Sequence, residues 1–307
     1  MCAKLLITCG TWPNLQPTAV TMPRQRSGPA RARLARMIER PDLLAHVLHV
    51  QGYLCFYTGN YVASERMQQE AHDLFTGLDH STGVSLTLSG LSCIAWAKGG
   101  TALATAQALC RESLDLSRTL GLRLQVSRQL VNLAYLCADL GDATQALAHA
   151  QEALALADEL RSKIYQTYAL CCLGHVAGES LAFEHGKTQL ARALATALDA
   201  NLQPLLLQGL IEYAALLAKE AEALAPAAAA AMQKEALTLF TLAAAQPACW
   251  QIFKERAGEY RQSLATTLAE SVVATATARA QALSPVAAAQ EICQRAQMGE
   301  HVMLAEQ

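Results

Sequence analysis

The chain has 307 residues, and its net charge of −2 at pH 7 is close to neutral. Hydrophobic residues make up 52% of the sequence but aromatic residues only 5%, because Ala and Leu dominate the apolar fraction. Ala and Leu favour helices, whereas Val and Ile, which favour buried sheets, are sparse. The composition therefore excludes a mainly β fold and predicts a helical protein.

The first 30 residues differ from the rest of the chain. They show no helical period and contain four prolines: Pro13, Pro17, Pro23 and Pro29. We expect residues 1–30 to form a disordered tail. Residues 1–40 also hold seven basic residues against the single acid Glu39, a net charge of +6. A basic arm over residues 24–40 leaves nucleic-acid binding open as an alternative function, although a solvated leader explains the same pattern.

Residues 31–245 show a repeating helical pattern. Helix-length segments come in pairs, and three of the breaks within pairs share a Gly-containing turn: Gly59-Asn60, Gly99-Gly100 and Gly141-Asp142. Glycine suits such turns because it adopts positive φ without strain. The pattern predicts about five antiparallel helix pairs, stacked because no single pair buries its apolar face alone. The fifth pair is predicted at residues 202–221 and 229–243, separated by Pro226 and an alanine run.

The third pair carries the clearest motif. The segment LVNLAYLCADLGDATQALAHAQEALALADEL, Leu130 to Leu160, combines a Leu-Ala pair, a Gly-Asp-Ala turn and alanines spaced A-x3-A-x2-A. It resembles a tetratricopeptide repeat, and residues 31–245 resemble the degenerate form with longer repeats. That form occurs in the C-terminal regions of bacterial signal-transduction ATPases and transcriptional activators of the maltose-activator type. The fourth pair departs from the motif, since Glu179-Ser180-Leu181 stands at its turn without glycine.

This resemblance implies an all-α solenoid, a right-handed superhelix of antiparallel helix pairs. Residues 246–307 resemble the helices that close such arrays, so extra C-terminal capping helices are expected there. The proteins that carry this form of the repeat have a nucleotide-binding module upstream, and this sequence contains none. The chain is therefore expected to be either a fragment of a larger protein or a separate repeat protein.

The resemblance also implies where a partner binds. In such arrays the first helix of each pair lines the concave groove. Carried over pair by pair, the groove positions fall on four residues in each of the first four pairs, including Ser89, Cys93 and Trp96 of the second. From these positions and one neighbour, nine residues are selected as the candidate site: His46, His49, Tyr53, Phe56, Arg128, Asn132, Tyr135, Tyr168 and His175. Aromatic side chains supply contact area, and Arg128 and Asn132, one turn apart, can bind a peptide backbone or carboxylate. The alternative is that the tyrosines pack between repeats.

Motifs of catalysis are sparse. Gly186-Lys187-Thr188 resembles the end of a phosphate-binding loop, but the required earlier glycine is replaced by Leu181. His46 and His49 lie one turn apart without a third metal ligand at suitable spacing. No nucleophile elbow or dinucleotide fingerprint occurs. We therefore expect no catalytic residues, metal or cofactor, and an enzyme on a helical scaffold is the third alternative.

The expected function is a protein- or peptide-binding scaffold or sensor module in a bacterial signalling or transcription-control system. Its partner is a protein or peptide, and an upstream domain of a larger protein would also qualify. Ten cysteines without a C-x-x-C pair suit a reducing compartment. The longest apolar region is interrupted by Lys219, Glu220 and Glu222, so no membrane contact and a cytoplasmic location are expected.

Overall fold

A computed structural model describes residues 40–305, except for the side chains of residue 227 and of residues 299–305. Over that range the chain forms thirteen α-helices and no strand, which confirms the all-α prediction. The predicted tail, residues 1–30, and all of the basic arm except Arg40 lie outside the described residues. Among the helices that are described, none combines the length and hydropathy that crossing a membrane requires.

The chain divides into two compact units, of which unit 1 ends at Leu136 and unit 2 begins at Cys137. In chain order, the first five helices are α1 (Pro41–Tyr57), α2 (Tyr61–Gly77), α3 (Ser81–Lys98), α4 (Ala102–Thr119) and α5 (Arg123–Asp139), the last of which contains the boundary. The next five are α6 (Ala143–Glu159), α7 (Lys163–Glu179), α8 (Phe183–Asp199), α9 (Gln203–Glu222) and α10 (Pro226–Ala244). Three more follow: α11 (Gln251–Thr267), α12 (Glu270–Ala282) and α13 (Pro285–Ala305).

Consecutive helices pack against each other in the manner of a solenoid. In unit 1, α1 packs on α2, α2 on α3 and α3 on α4. In unit 2 the same order runs from α6 to α10, and the first helices α7 and α9 also touch. The C-terminal helices depart from this order: α11 packs on α9 and α10, α12 packs on α10, and α13 packs on α8 and α9.

Each connection between neighbouring helices from α1 to α9 contains at least one residue with positive φ. Five of these residues are glycines. Four of the five stand at the turns that the sequence predicts, at Gly59, Gly99-Gly100 and Gly141. The fourth pair, which lacks the glycine, turns in the same way with Leu181 at φ 57°. A leucine in this region is strained, because its Cβ approaches the following carbonyl oxygen.

Small residues sit where paired helices cross, as the sequence pattern predicts. A Cβ added to Gly174 in α7 would lie 2.3 Å from Leu190 Cγ in α8. In unit 1 the crossings use hydroxyl groups as well: Ser64 Oγ donates to the Gly52 carbonyl at 2.7 Å. Because this buried hydroxyl is bonded, the two helices approach closely without leaving it unsatisfied.

One sequence prediction changes in detail. Pro226 does not separate the helices of the fifth pair but is the first residue of α10. Proline is tolerated there because the first amide of a helix has no intrahelical acceptor to lose.

The segment Gly186-Lys187-Thr188, which resembles the end of a phosphate-binding loop, lies within α8. There Lys187 Nζ donates to the Glu184 and Glu220 carboxylates, each at 2.8 Å. Its lysine is therefore part of an ion-pair network.

Candidate functional site

The nine predicted groove residues fall on three first helices. α1 carries His46, His49, Tyr53 and Phe56; α5 carries Arg128, Asn132 and Tyr135; α7 carries Tyr168 and His175. The first seven belong to unit 1 and the last two to unit 2. Five of the nine are buried, namely His49, Tyr53, Phe56, Tyr135 and His175. The other four, His46, Arg128, Asn132 and Tyr168, are half-buried.

Unit 1 joins α1 and α5 through a cation–π contact. The guanidinium carbon of Arg128 lies 4.5 Å from the centroid of the Tyr53 ring. The Tyr53 hydroxyl donates to Ser89 Oγ of α3, which lies between them in sequence, at 3.3 Å. Burial raises the pKa of Tyr53 well above its usual 10. Tyr53 therefore stays neutral and acts as a platform for the guanidinium.

Asn132 lies one turn beyond Arg128 and faces the same neighbourhood. Its Nδ2 group donates to the Cys93 sulfur at 3.7 Å and to Gln129 Oε1 at 3.4 Å. Burial raises the pKa of Cys93 although Arg128 opposes the shift, so Cys93 is present as the thiol. Beside them, the Trp96 and Tyr135 rings lie 5.7 Å apart. The result is an aromatic patch with one cation and one amide.

The two α1 histidines have different surroundings. His49 is buried, and its Nδ1 lies 3.0 Å from Gln68 Oε1, while Gln68 Nε2 donates to the His49 carbonyl at 3.1 Å. Burial lowers the pKa of His49 to about 4, which keeps it neutral. His46 instead packs edge-on against Phe75, with ring centroids 4.9 Å apart. Within the described part of the chain, no three His, Cys, Asp or Glu side chains come together as metal ligands.

In unit 2, helix α11 covers the two predicted groove residues of α7. Trp250, at the start of α11, stacks on Tyr168 with ring centroids 6.0 Å apart and an interplanar angle of 21°. One and a half turns later, Arg256 reaches His175, with Nη2 at 3.0 Å from Nδ1. This part of the predicted binding surface is therefore in contact with the chain's own C-terminal region.

Arg256 also binds a buried carboxylate that the sequence analysis missed. Its Nη1 donates to Glu212 Oε1 of α9 at 3.1 Å, and the Glu212 side chain is only 1% exposed. Burial acts to raise the pKa of Glu212, but the charges of Arg256 and His175 outweigh it and lower that pKa. One signal in the sequence was available: Glu212 is the single charged residue in the apolar stretch from Leu205 to Ala218.

The two arginines occupy equivalent places. Arg128 and Arg256 are each the sixth residue of their helix, and Tyr53 and His175 are each the thirteenth residue of theirs. In unit 1, Arg128 of α5 contacts Tyr53 of α1, and α3 between them supplies Ser89, which bonds Tyr53. In unit 2, Arg256 of α11 contacts His175 of α7, and α9 between them supplies Glu212, which bonds Arg256. The surface that the first helices form is thus bridged by an arginine in each unit.

No family model matches this chain, and no curated protein matches it at a significant level. The resemblance to tetratricopeptide arrays therefore rests on the motif of Leu130 to Leu160 and on the packing of consecutive helix pairs.

Proposed function

We propose that this chain is a non-enzymatic helical-repeat module that binds a protein or peptide partner. The binding surface is the first-helix face of unit 1 around Arg128 and Asn132. On the resemblance of its repeats, we further propose that the module serves a bacterial signalling or transcription-control system, and that an upstream domain of a larger protein is one possible partner.

The observation that carries this proposal is the arrangement of Arg128 over the Tyr53 ring. The contact holds a half-buried cation in one place, so less side-chain entropy is lost when a partner binds to it. Asn132, one turn away, adds an amide, and the half-buried Trp96 ring, which packs beside buried Tyr135, adds rigid apolar area. Aromatic residues and arginine are the types that dominate binding energy at protein interfaces.

The chemistry of this surface favours a partner with hydrogen-bond acceptors. A guanidinium has only donors, and it recognises carboxylates and backbone carbonyls with directional bonds. The half-buried Trp96 ring offers an apolar contact to a side chain of the same partner. An extended segment that offers a carboxylate or free carbonyls beside an apolar side chain fits both requirements.

Recognition rather than catalysis also agrees with the ionisation of the buried groups. Burial lowers the pKa of His49 to about 4 and raises the pKa of Tyr53 well above 10. Both side chains stay neutral near pH 7 and are poorly suited to exchange protons with a substrate, because a catalytic group needs a pKa near the working pH.

Affinity capture with the full chain tests this function. The immobilised wild type is compared with the double variant Arg128→Leu/Asn132→Ala in a bacterial lysate, and the captured proteins are quantified by mass spectrometry. Truncating two central contacts is expected to lower capture of the true partner by about tenfold or more, as loss of ~1.4 kcal/mol or more of binding energy implies.

The matched control is Arg111→Leu/Gln107→Ala, a pair with the same spacing on the second helix α4. It removes the same kinds of group from outside the proposed surface and should retain the partner. Equal capture by all three proteins would show that the Arg128 surface does not bind it. Circular dichroism and thermal unfolding confirm that each variant is folded.

A further inference from the structure

The hydrogen bonds at His175 Nδ1 cannot all form at once. Arg256 Nη2 lies 3.0 Å from this nitrogen, and Glu212 Oε2 lies 3.3 Å from it. A guanidinium only donates hydrogen bonds, so Nδ1 must be unprotonated to accept from Arg256. A carboxylate only accepts, so Nδ1 must carry a proton to donate to Glu212. The ring therefore has two alternative partners, selected by one proton.

Glu212 Oε2 gains a hydrogen bond only in the second state. Its other oxygen accepts from Arg256 Nη1, whereas Oε2 is buried without a hydrogen-bond donor among the described residues. This atom has almost no exposed area. A proton on His175 Nδ1, 3.3 Å away, supplies a donor for this oxygen.

We propose that unit 2 contains a proton-controlled clasp, in which neutral His175 holds Arg256 of α11, and protonated His175 turns to Glu212 of α9 and releases α11 from α7. Protonation places two cations, imidazolium and guanidinium, side by side at Nδ1, which repels Arg256. It also satisfies Glu212 Oε2. Arg256 keeps its bond to Glu212 Oε1, so α11 stays linked to α9 while its contact with α7 is weakened.

The charges around His175 come from four helices. Asp139 of α5 has Oδ1 at 3.8 Å from Nε2, and Glu179 of α7 itself has Oε1 at 4.0 Å from it. Lys219 of α9 pairs with Glu179. With Glu212 and Arg256, the cluster holds three carboxylates and two cations when His175 is neutral. One proton on His175 makes it neutral overall.

These charges set the pH range of the clasp. Burial and the charge of Arg256 act to lower the pKa of His175, but Glu212 and Asp139 outweigh them and raise it above its usual 6.5. His175 therefore takes up its proton at a higher pH than an ordinary histidine does. Because the folded-state pKa lies above the unfolded one, protonation stabilises the folded protein. That stabilisation is complete below the unfolded pKa and is lost as the pH rises through the folded pKa.

The clasp acts on the surface that α11 covers. Trp250 stacks on Tyr168, and Arg256 lies over His175 in the same stretch of α11. Release of Arg256 therefore loosens the contact that shields Tyr168. The switch itself is independent of the function proposed for unit 1.

Trp250 offers a direct readout in the full chain. The sequence has three tryptophans, and the background Trp12→Phe/Trp96→Phe leaves Trp250 alone. Its fluorescence is followed from pH 5 to pH 9, and ¹⁵N-edited NMR of the histidine rings, assigned with His175→Gln, gives the midpoint and the tautomer of His175. We expect the Trp250 signal to change at the His175 midpoint and to lose this transition in His175→Gln.

Two substitutions test the geometry. Glu212→Gln should lower the His175 midpoint by about one pH unit or more, and Arg256→Gln should raise it by a similar amount, because each removes a charge in contact with the ring. Above the midpoint, the wild-type ring should carry its proton on Nε2. A proton on Nδ1 at high pH, or a Trp250 signal that does not change through the midpoint, would overturn the clasp. The tautomer and Trp250 readings need no charge-removing variant and stand even where Glu212→Gln fails to fold.

Discussion

Replacing Gly174 with Ala should destabilise unit 2, although the same change usually strengthens a helix. The new Cβ would lie 2.3 Å from Leu190 Cγ and 2.7 and 2.8 Å from its two methyl carbons. Leu190 is fully buried in the main core of unit 2, so it has no free space into which to rotate. The clash therefore has to be relieved by separating α7 from α8.

The magnitude follows from two opposing effects. Overpacking a core by one methyl group costs about 1–3 kcal/mol, and so close a contact places this case at about 3 kcal/mol. Alanine regains about 1 kcal/mol of helix propensity over glycine. The net loss is about 2 kcal/mol, which lowers the melting temperature of a unit of this size by about 4–8 °C.

Gly258 in α11 is the matched control. A Cβ added there meets nothing within 4 Å, so Gly258→Ala should stabilise the chain by about 1 kcal/mol through helix propensity alone. Urea unfolding, followed by Trp250 fluorescence in the Trp12→Phe/Trp96→Phe background, reports on unit 2 in both cases. Its midpoint should fall for Gly174→Ala and rise for Gly258→Ala, with the slope unchanged.

A double variant separates the clash from other causes. Leu190→Ala alone should cost about 2–5 kcal/mol, because it leaves a cavity in the core. With Leu190 truncated, Gly174→Ala should no longer destabilise the protein, since the atoms that it meets are gone. The reasoning is refuted if Gly174→Ala is as stable as Gly258→Ala, or if the Gly174 effect is the same with and without Leu190.

Two further predictions concern a helix cap and a buried histidine. The Asp142 carboxylate caps α6 by accepting a hydrogen bond from the backbone N–H of Gln145 at 3.0 Å, so Asp142→Ala should lower the free energy of unfolding by about 1 kcal/mol. The start of α8 has no side-chain cap, so Ala182→Asp should raise the free energy of unfolding by a similar amount. Urea unfolding measures the stability of both variants, and midpoints equal to that of the wild type would contradict the capping role. For His49, burial lowers the pKa to about 4, so its contribution to stability is complete above the unfolded pKa near 6.5 and is lost as the pH falls towards 4. The wild type should therefore lose about 3 kcal/mol relative to His49→Gln between pH 7 and pH 4, and parallel stability profiles of the two proteins would exclude this effect.

The helices and their turns could be predicted from the sequence because each depends on residues close together in the chain. Gly59, Gly99-Gly100 and Gly141 mark turns that do adopt positive φ. Leu181 shows the limit of that reasoning, since it takes the same conformation without being glycine. There the packing of α7 on α8 imposes the turn, and a local preference for glycine is not required.

The residues of the proposed binding surface were predictable only by position. The groove pattern chose Tyr53 and Arg128, which do meet, although one lies in α1 and the other in α5. It also chose Tyr168 and His175 without indicating that α11 lies on them. Glu212 was missed because a single acid in an apolar helix has no local signature that separates a buried, paired carboxylate from an exposed one.

The difference between the two arginines shows where prediction from the sequence ends. Composition, periodicity and turn residues specify helices of about the right length in about the right places, since the backbone responds mainly to its nearest neighbours. Partners depend on which helices stack. Arg128 and Arg256 occupy the same place in their helices, yet one meets a tyrosine ring and the other a histidine 81 residues away together with a buried glutamate. Those contacts, and with them the charge state of His175, arise only when distant helices are packed together, because burial and neighbouring charges determine the pKa.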